Sequence, residues 1–179
     1  MDPKYQSLFT PWKIGNCEIK NRIVLTSMGG TSIFGWMEPH HFDKEAANFL
    51  LDRAKNNVGL ILPGIAPIRN VIGGNWLYKS KSSFRHLKPF MDELHKTGAK
   101  MFVQLTAGFG RSFAISSMME MLATNKVLGA IAKPFINIDQ LTMSASPNPN
   151  RWSDKVPSRA MTVDEIHEFI KAFGKTAKM

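Results

Sequence analysis

Cysteine is almost missing from these 179 residues: Cys17 stands alone. One thiol excludes an internal disulfide framework and any metal site built on several cysteines. It fits a reducing, cytoplasmic compartment. No run of about 20 apolar residues occurs, so nothing reads as a membrane-spanning helix and no membrane partner is expected. The opening Met1-Asp-Pro-Lys-Tyr5 has no apolar core of a secretory signal. Acidic residues are scarce, 14 against 23 Lys and Arg, for a net charge of +9. Such a surplus raises a nucleic acid or an acidic cofactor as partner. The basic residues are scattered from Lys4 to Lys178. No block of about five of them appears, nor any RNA-reading or zinc-finger motif, so most read as solvated faces. A basic binding module without catalysis is the rival reading, and no nucleic-acid partner is the expectation.

What is present is the make-up of one globular domain, with 44% apolar residues. Trp12 to Lys20 reads as a hairpin turning at Gly15-Asn16 and carrying Cys17 in its turn. Ile23 to Ser27 reads as a strand that runs into Met28-Gly29-Gly30. Phe42 to Lys55 reads as a helix with Phe42, Ala46, Phe49 and Leu50 on one face, ended by Asn56-Asn57. Gly59 to Leu62 is a second strand, broken by Pro63-Gly64. A loop follows with Gly73-Gly74 and outward-facing Trp76 and Tyr78. Phe84 to Lys96 is a second helix with Leu87, Phe90, Met91 and Leu94 inward and Pro89 in its first turns. Thr97-Gly98 closes it, and Met101 to Leu105 is a third, buried strand running into Gly108-Phe109-Gly110.

Continuously apolar strands joined by amphipathic helices imply a parallel sheet covered by helices, an α/β fold. Ligands then gather at the carboxyl ends of the strands. Ser27-Met28-Gly29-Gly30, Pro63-Gly64 and Gln104-Leu105-Thr106 all fall there. Glycines let backbone approach a ligand closely. The neutral amide of Gln104 donates and accepts at once, which suits a planar, amide-like edge; the alternative is that it satisfies nearby backbone. Histidines offer less. His40-His41 precede a helix and read as solvated loop, and His86, His95 and His167 as helix-face residues. Cys17 reads as a bystander. After about residue 107 the pattern weakens. Ile115 to Ala123 reads as a helix with a methionine-rich face, and Asn137 to Pro157 as a long loop of the kind that shapes a site. Thr162-Val-Asp-Glu165 is a capping box. It opens a helix with Ile166, Phe169, Ile170, Phe173 and Ala177 on its face, running to Met179.

These residues, taken together, resemble the old yellow enzyme family. The likeness lies in Leu8-Phe-Thr-Pro-Trp-Lys-Ile-Gly15 and Ile19-Lys-Asn-Arg-Ile-Val-Leu-Thr-Ser-Met28. It continues in Gly98-Ala-Lys-Met-Phe-Val-Gln-Leu105 with Gly110-Arg111, Ser144-Ala-Ser-Pro147, and Arg159-Ala-Met-Thr162 with its helix. Ser27-Met28 looks most like the 2,4-dienoyl-CoA reductase branch. The resemblance implies a (β/α)8 TIM barrel, of which residues 1–179 would be the N-terminal part of an FMN-binding domain. That part comprises the hairpin, three strands and the helix preceding strand four, with no second domain.

It also implies FMN reduced by NADH or NADPH, and hydride delivery to an activated C=C bond of an enone, dienoyl-CoA or steroid-like substrate. In that frame Ser27 and Met28 line the flavin, Gly29 stands where relatives carry a tuning Thr or Cys, and Gly64 packs beside the ring. Gln104 grips the pyrimidine edge, and Thr106 lines the substrate pocket. The family's usual His after the glutamine strand is replaced by Thr106-Ala-Gly-Phe109. The substrate-binding His/His or His/Asn pair, the basic residue near the flavin and the phosphate site would lie beyond Met179, so the chain alone is expected to be inactive. A longer parent chain of that branch would add FAD and a 4Fe-4S cluster. A phosphate-binding lyase or aldolase barrel is a further rival. It requires a catalytic Lys or carboxylate at a strand end, and none stands there.

Overall fold

The computed structural model describes residues 2–35 and 38–179. The elements are, in order, β1 (Trp12–Ile14), β2 (Cys17–Ile19), β3 (Val24–Leu25), α1 (Lys44–Lys55), β4 (Leu60–Ile61), β5 (Ala66–Pro67), α2 (Lys81–Lys96), β6 (Lys100–Met101), β7 (Leu105–Thr106), α3 (Ser117–Thr124), α4 (Lys126–Ala132), α5 (Ile138–Leu141) and α6 (Val163–Ala177). This is an α/β chain of two compact units. No described helix is long and apolar enough to cross a membrane.

The first unit comprises the described residues of Met1–Trp36, His40–Ala66 and Ser80–Leu105. Its hairpin pairs Trp12 with Ile19 and Ile14 with Cys17. Cys17 is therefore the first residue of β2 rather than part of the turn, which Gly15 makes at φ 56°. β3, β4 and β6 form one parallel sheet in sequence order, with Leu25, Ile61 and Met101 in one row. The Asn21 side chain is buried and fully used. Its amide donates to Asn57 O at 2.7 Å and its Oδ1 accepts from the Ile23 N–H at 3.0 Å. Leaving either group unpaired would cost about 1–3 kcal/mol, so Asn21 fixes how the chain enters β3. Beside it, Lys20 Nζ donates to Thr97 O at 2.8 Å, at the carbonyl-rich end of α2 where a cation is favoured.

Helix α1 is capped by Asp43, whose carboxylate accepts from the Ala46 N–H at 2.9 Å, so Phe42 lies outside it. Its buried face is Ala46, Ala47, Leu50 and Ala54; Phe49 instead lies under the Arg53 guanidinium, 3.4 Å from the ring centroid. Helix α2 starts three residues before Phe84, which puts Pro89 in its third turn rather than its first turns. The ring removes one helical hydrogen bond there. Tertiary packing outweighs that loss: Ser83 is buried and Phe84 meets Phe34 at 5.3 Å between centroids. The third strand is interrupted. Pairing with β4 stops at Met101, and the next strand, β7, pairs with β5 in a separate two-stranded sheet, so Gln104 lies between two short strands and not at the end of one. It is not a buried strand either: Val103 is 38% exposed, as Val24 is 37% exposed.

The second unit comprises the described residues of Met37–Pro39, Pro67–Lys79 and Thr106–Met179. Its core joins Phe113, Met119, Ile138 and Val156, with Val71, Phe109, Ile115, Ile136 and Leu141 against them. Of the methionine-rich helix α3 only Met119 is buried; Met118 and Met121 face outward. The stretch expected as loop contains α5, and bridges tie Ser144 to Ala160 and Asn148 to Ser158. Trp76 is not outward-facing: it is half-buried and packs edge-on against Phe169 at 5.2 Å. Tyr78 is half-buried under Lys175 Nζ, 4.9 Å from the ring centroid. The capping box of α6 forms in both directions. The helix ends at Ala177, and its inward face is Phe169, Ala172 and Thr176. Ile170 is 63% exposed and Ile166 and Ala177 are exposed too, a rotation from the expected stripe set by where Trp76 meets Phe169.

Candidate functional site

The sheet register assembles the candidate rim in the first unit. Met28, Gly64 and Gln104 each stand three residues past the last paired row, Leu25–Ile61–Met101. The pairing extends toward them through Leu62 N–H to Leu25 O at 2.8 Å and Phe102 N–H to Ile61 O at 3.0 Å. Ser27 and Pro63 precede the first two of these residues. The rim therefore follows from strand pairing alone.

Gly64 is the closest-packed part of it. A Cβ there would stand 2.7 Å from Ser32 N, 2.9 Å from Met28 O and 3.0 Å from the Thr31 carbonyl carbon, all backbone atoms. Only glycine lets this strand end lie against the loop that follows β3. A residue absent from the sequence reading holds the two together. Buried Thr31 donates its hydroxyl to Met28 O at 2.9 Å and accepts the Gly64 N–H at 2.8 Å, while its carbonyl accepts the same N–H at 3.1 Å. No periodicity marks such a threonine; a hydroxyl following two glycines after a strand is the one signal that could have found it. Gly30, at φ 79°, turns the loop back so that Thr31 can reach.

The other predicted positions differ in character. Gly29 is exposed and its missing Cβ would meet nothing within 4 Å. Ser27 is half-buried and Met28 is exposed. Gln104 is exposed; its carbonyl accepts from the Ala66 N–H at 2.9 Å, and its side-chain amide makes no hydrogen bond among the described residues. The carbonyl of Gln104 is thus satisfied without its side chain, which remains available to a ligand. Thr106 belongs to the second unit. Its carbonyl accepts from the Ile68 N–H at 2.9 Å, and its hydroxyl exchanges hydrogen bonds with Gly108 at 3.2 Å. Among the described residues no group of three or more His, Cys, Asp or Glu side chains could hold a metal ion.

Chemically, the rim offers a free primary amide and a pair of strand-end backbones held together at Gly64. It has no acid or base of its own. A flat, uncharged ring with alternating donors and acceptors on one edge matches that set.

The family model described as NADH:flavin oxidoreductase / NADH oxidase matches residues 7–179. Cinnamate reductase of Clostridium sporogenes is 31% identical over 186 residues, covering 100% of this chain and 25% of that enzyme. The chain thus spans about a quarter of the length of that curated relative. Histamine dehydrogenase from Rhizobium sp. 4-9 shares the fold at a TM-score of 0.64 and 19% identity, over 99% of this chain and 24% of that one. The old yellow enzyme from Pichia sp. AKU4542 does so at a TM-score of 0.61 and 22% identity, over 96% and 42%.

Proposed function

The chain belongs to the NADH:flavin oxidoreductase / NADH oxidase family, and from that premise we propose that it supplies the first strands of the FMN-binding (β/α)8 barrel of an ene-reductase. The observation that carries this reading is the common offset of Met28, Gly64 and Gln104 from one row of a parallel sheet. Three strands paired in sequence order, with α1 and α2 as their crossovers, support the barrel. All 179 residues then belong to that one domain.

The residues fit a flavin. Gln104 has an unspent amide for a pyrimidine edge, and Gly64 keeps its strand end packed against the loop after β3 that carries the Ser27 and Met28 backbone. When bound, FMN supplies the hydride relay from NADH or NADPH to the β-carbon of an activated alkene. The chain's own residues bind and orient. Gln104 Nε2 donates and Oε1 accepts, which sets the rotation of the ring. The Ser27 and Met28 backbone lines the reactive side, held in place by Thr31. Gly29 brings no side chain, so the tuning contact of relatives is absent or comes from elsewhere. Thr106 lines the substrate pocket. The substrate class is an enone, dienoyl-CoA or steroid-like alkene, and the cinnamate reductase relationship extends it to α,β-unsaturated acids. No rim residue is an acid, so the proton donor lies outside the rim.

The test is Gln104→Leu in the flavin-loaded protein. Losing a donor and an acceptor to a buried ring edge weakens FMN retention by about 10–100-fold. The unfolding midpoint of the flavin-free protein stays put, because Gln104 is exposed. Undiminished FMN binding in this variant overturns the rim assignment.

A further inference from the structure

The second unit holds a polar hollow of about 230 Å³ that the flavin reading does not use. Arg69, Gly73, Gly74, Lys133, Asn137 and Gln140 form its polar wall, and among the described residues no carboxylate lines it. Arg69 is fixed before any ligand arrives. Its turn is closed by Leu77 N–H to Ile68 O at 2.7 Å and Asn70 N–H to Asn75 O at 3.0 Å. Buried Asn70 accepts the Asn75 N–H at 2.6 Å. Arg69 Nε donates to Gly74 O at 2.9 Å, and the guanidinium lies 5.0 Å from the Trp76 ring centroid. The opposite wall is tied to this turn through Gly73 N–H to Phe135 O at 3.1 Å.

The terminal nitrogens of Arg69 make no hydrogen bond or ion pair among the described residues. Glu168 and Glu165 act on it only through space, and Glu165 is already paired with Arg159 at 2.6 Å. A half-buried, pre-aimed guanidinium with unspent donors is an incomplete arrangement. Desolvation has been partly incurred, and the fork that recognises an oxyanion is open. Lys133 adds a second positive charge, and Asn137 and Gln140 add amide donors.

We infer that this hollow binds an oxyanion, the carboxylate or phosphate of a small molecule, with Arg69 as the bidentate anchor and Lys133 as the second charge. The site stands on its own geometry and needs no flavin.

The test follows the Arg69 side-chain Nε–Hε signal by NMR in the full chain during titration with inorganic phosphate and, separately, with benzoate. Saturable shifts with a millimolar dissociation constant that weakens as NaCl is raised are expected for at least one anion. A response to phosphate marks a phosphate site, and a response to benzoate alone a carboxylate site. Arg69→Gln abolishes binding, read from neighbouring amide signals, and Arg69→Lys weakens it about tenfold, because an ammonium lacks the fork. Since Arg69→Gln also removes the bond to Gly74, Lys133→Gln at an exposed position is the fold-neutral check, with about a threefold loss. No shift with either anion, or full affinity in both glutamine variants, overturns the inference. Neither result depends on whether FMN binds.

Discussion

Replacing Gly64 with alanine probes the rim through its closest contact. The new Cβ would meet three backbone atoms, at 2.7, 2.9 and 3.0 Å, where ordinary contact begins at 3.4 Å. None of these atoms can rotate away, so the Met28–Ser32 loop must retreat as a body. That retreat stretches both hydrogen bonds from the Gly64 N–H, to Thr31 O at 3.1 Å and to Thr31 Oγ1 at 2.8 Å. Forcing an extra carbon into a packed site costs about 1–3 kcal/mol. Weakening a buried backbone hydrogen bond adds about 1 kcal/mol. A total of about 2–4 kcal/mol corresponds to a drop of roughly 5–15 °C in Tm for a chain of this size. Gly29→Ala is the control, in the same loop but with open space around its Cβ and no positive φ. It should stay within about 0.5 kcal/mol of the parent. Urea unfolding followed by circular dichroism, compared at unchanged m, reads both variants. A neutral Gly64→Ala, or equal losses in the two, would refute the packing argument.

Two more predictions concern α6. Phe169→Ala should cost about 3–5 kcal/mol, because the ring is buried against Trp76, whereas Ile170→Ala should change stability by less than about 0.5 kcal/mol; comparable losses in urea unfolding would show that the helix face is wrongly assigned. Glu165 is held at a pKa of about 2, below its ordinary 4.5, first by the Arg159 hydrogen bond and then by the Thr162 backbone. Its folded-state pKa is depressed, so the stability it adds is present above about 4.5 and is lost as pH falls through about 2. Both partners are partly exposed, which limits the gain to about 1 kcal/mol. Glu165→Gln should therefore be less stable than the parent at pH 6 and indistinguishable from it near pH 2, and a pH-independent difference would contradict the linkage.

Elements specified by local chemistry were legible in the sequence. The Gly15-Asn16 hairpin, the Asn56-Asn57 and Thr97-Gly98 stops and the Thr162–Glu165 capping box are each decided within four residues. The parallel sheet was legible too, because apolar runs alternate with amphipathic helices. What packing decides was not. The start of α2 depends on Phe84 meeting Phe34, and the inward face of α6 on Trp76 meeting Phe169. Helix α4 was missed because its apolar residues Val127 and Ile131 are exposed and give no buried stripe; its one local signal was the Asn125 cap, which accepts from Val127 and Leu128 N–H. In the candidate site, the glycine positions could be read as residue types at strand ends, whereas Gln104 was legible as a free amide but not as a residue between two short strands. Thr31 could not, since its role lies in closing a distance between two loops.

The central claim is that this rim is half of a flavin cradle. It is tested most directly by the visible absorption spectrum of the protein expressed from the longest natural reading frame containing these residues and purified without added flavin. The prediction is a stoichiometric FMN spectrum, bleached anaerobically by NADH or NADPH and restored by an enone. A folded, colourless protein that takes up no added FMN would contradict it.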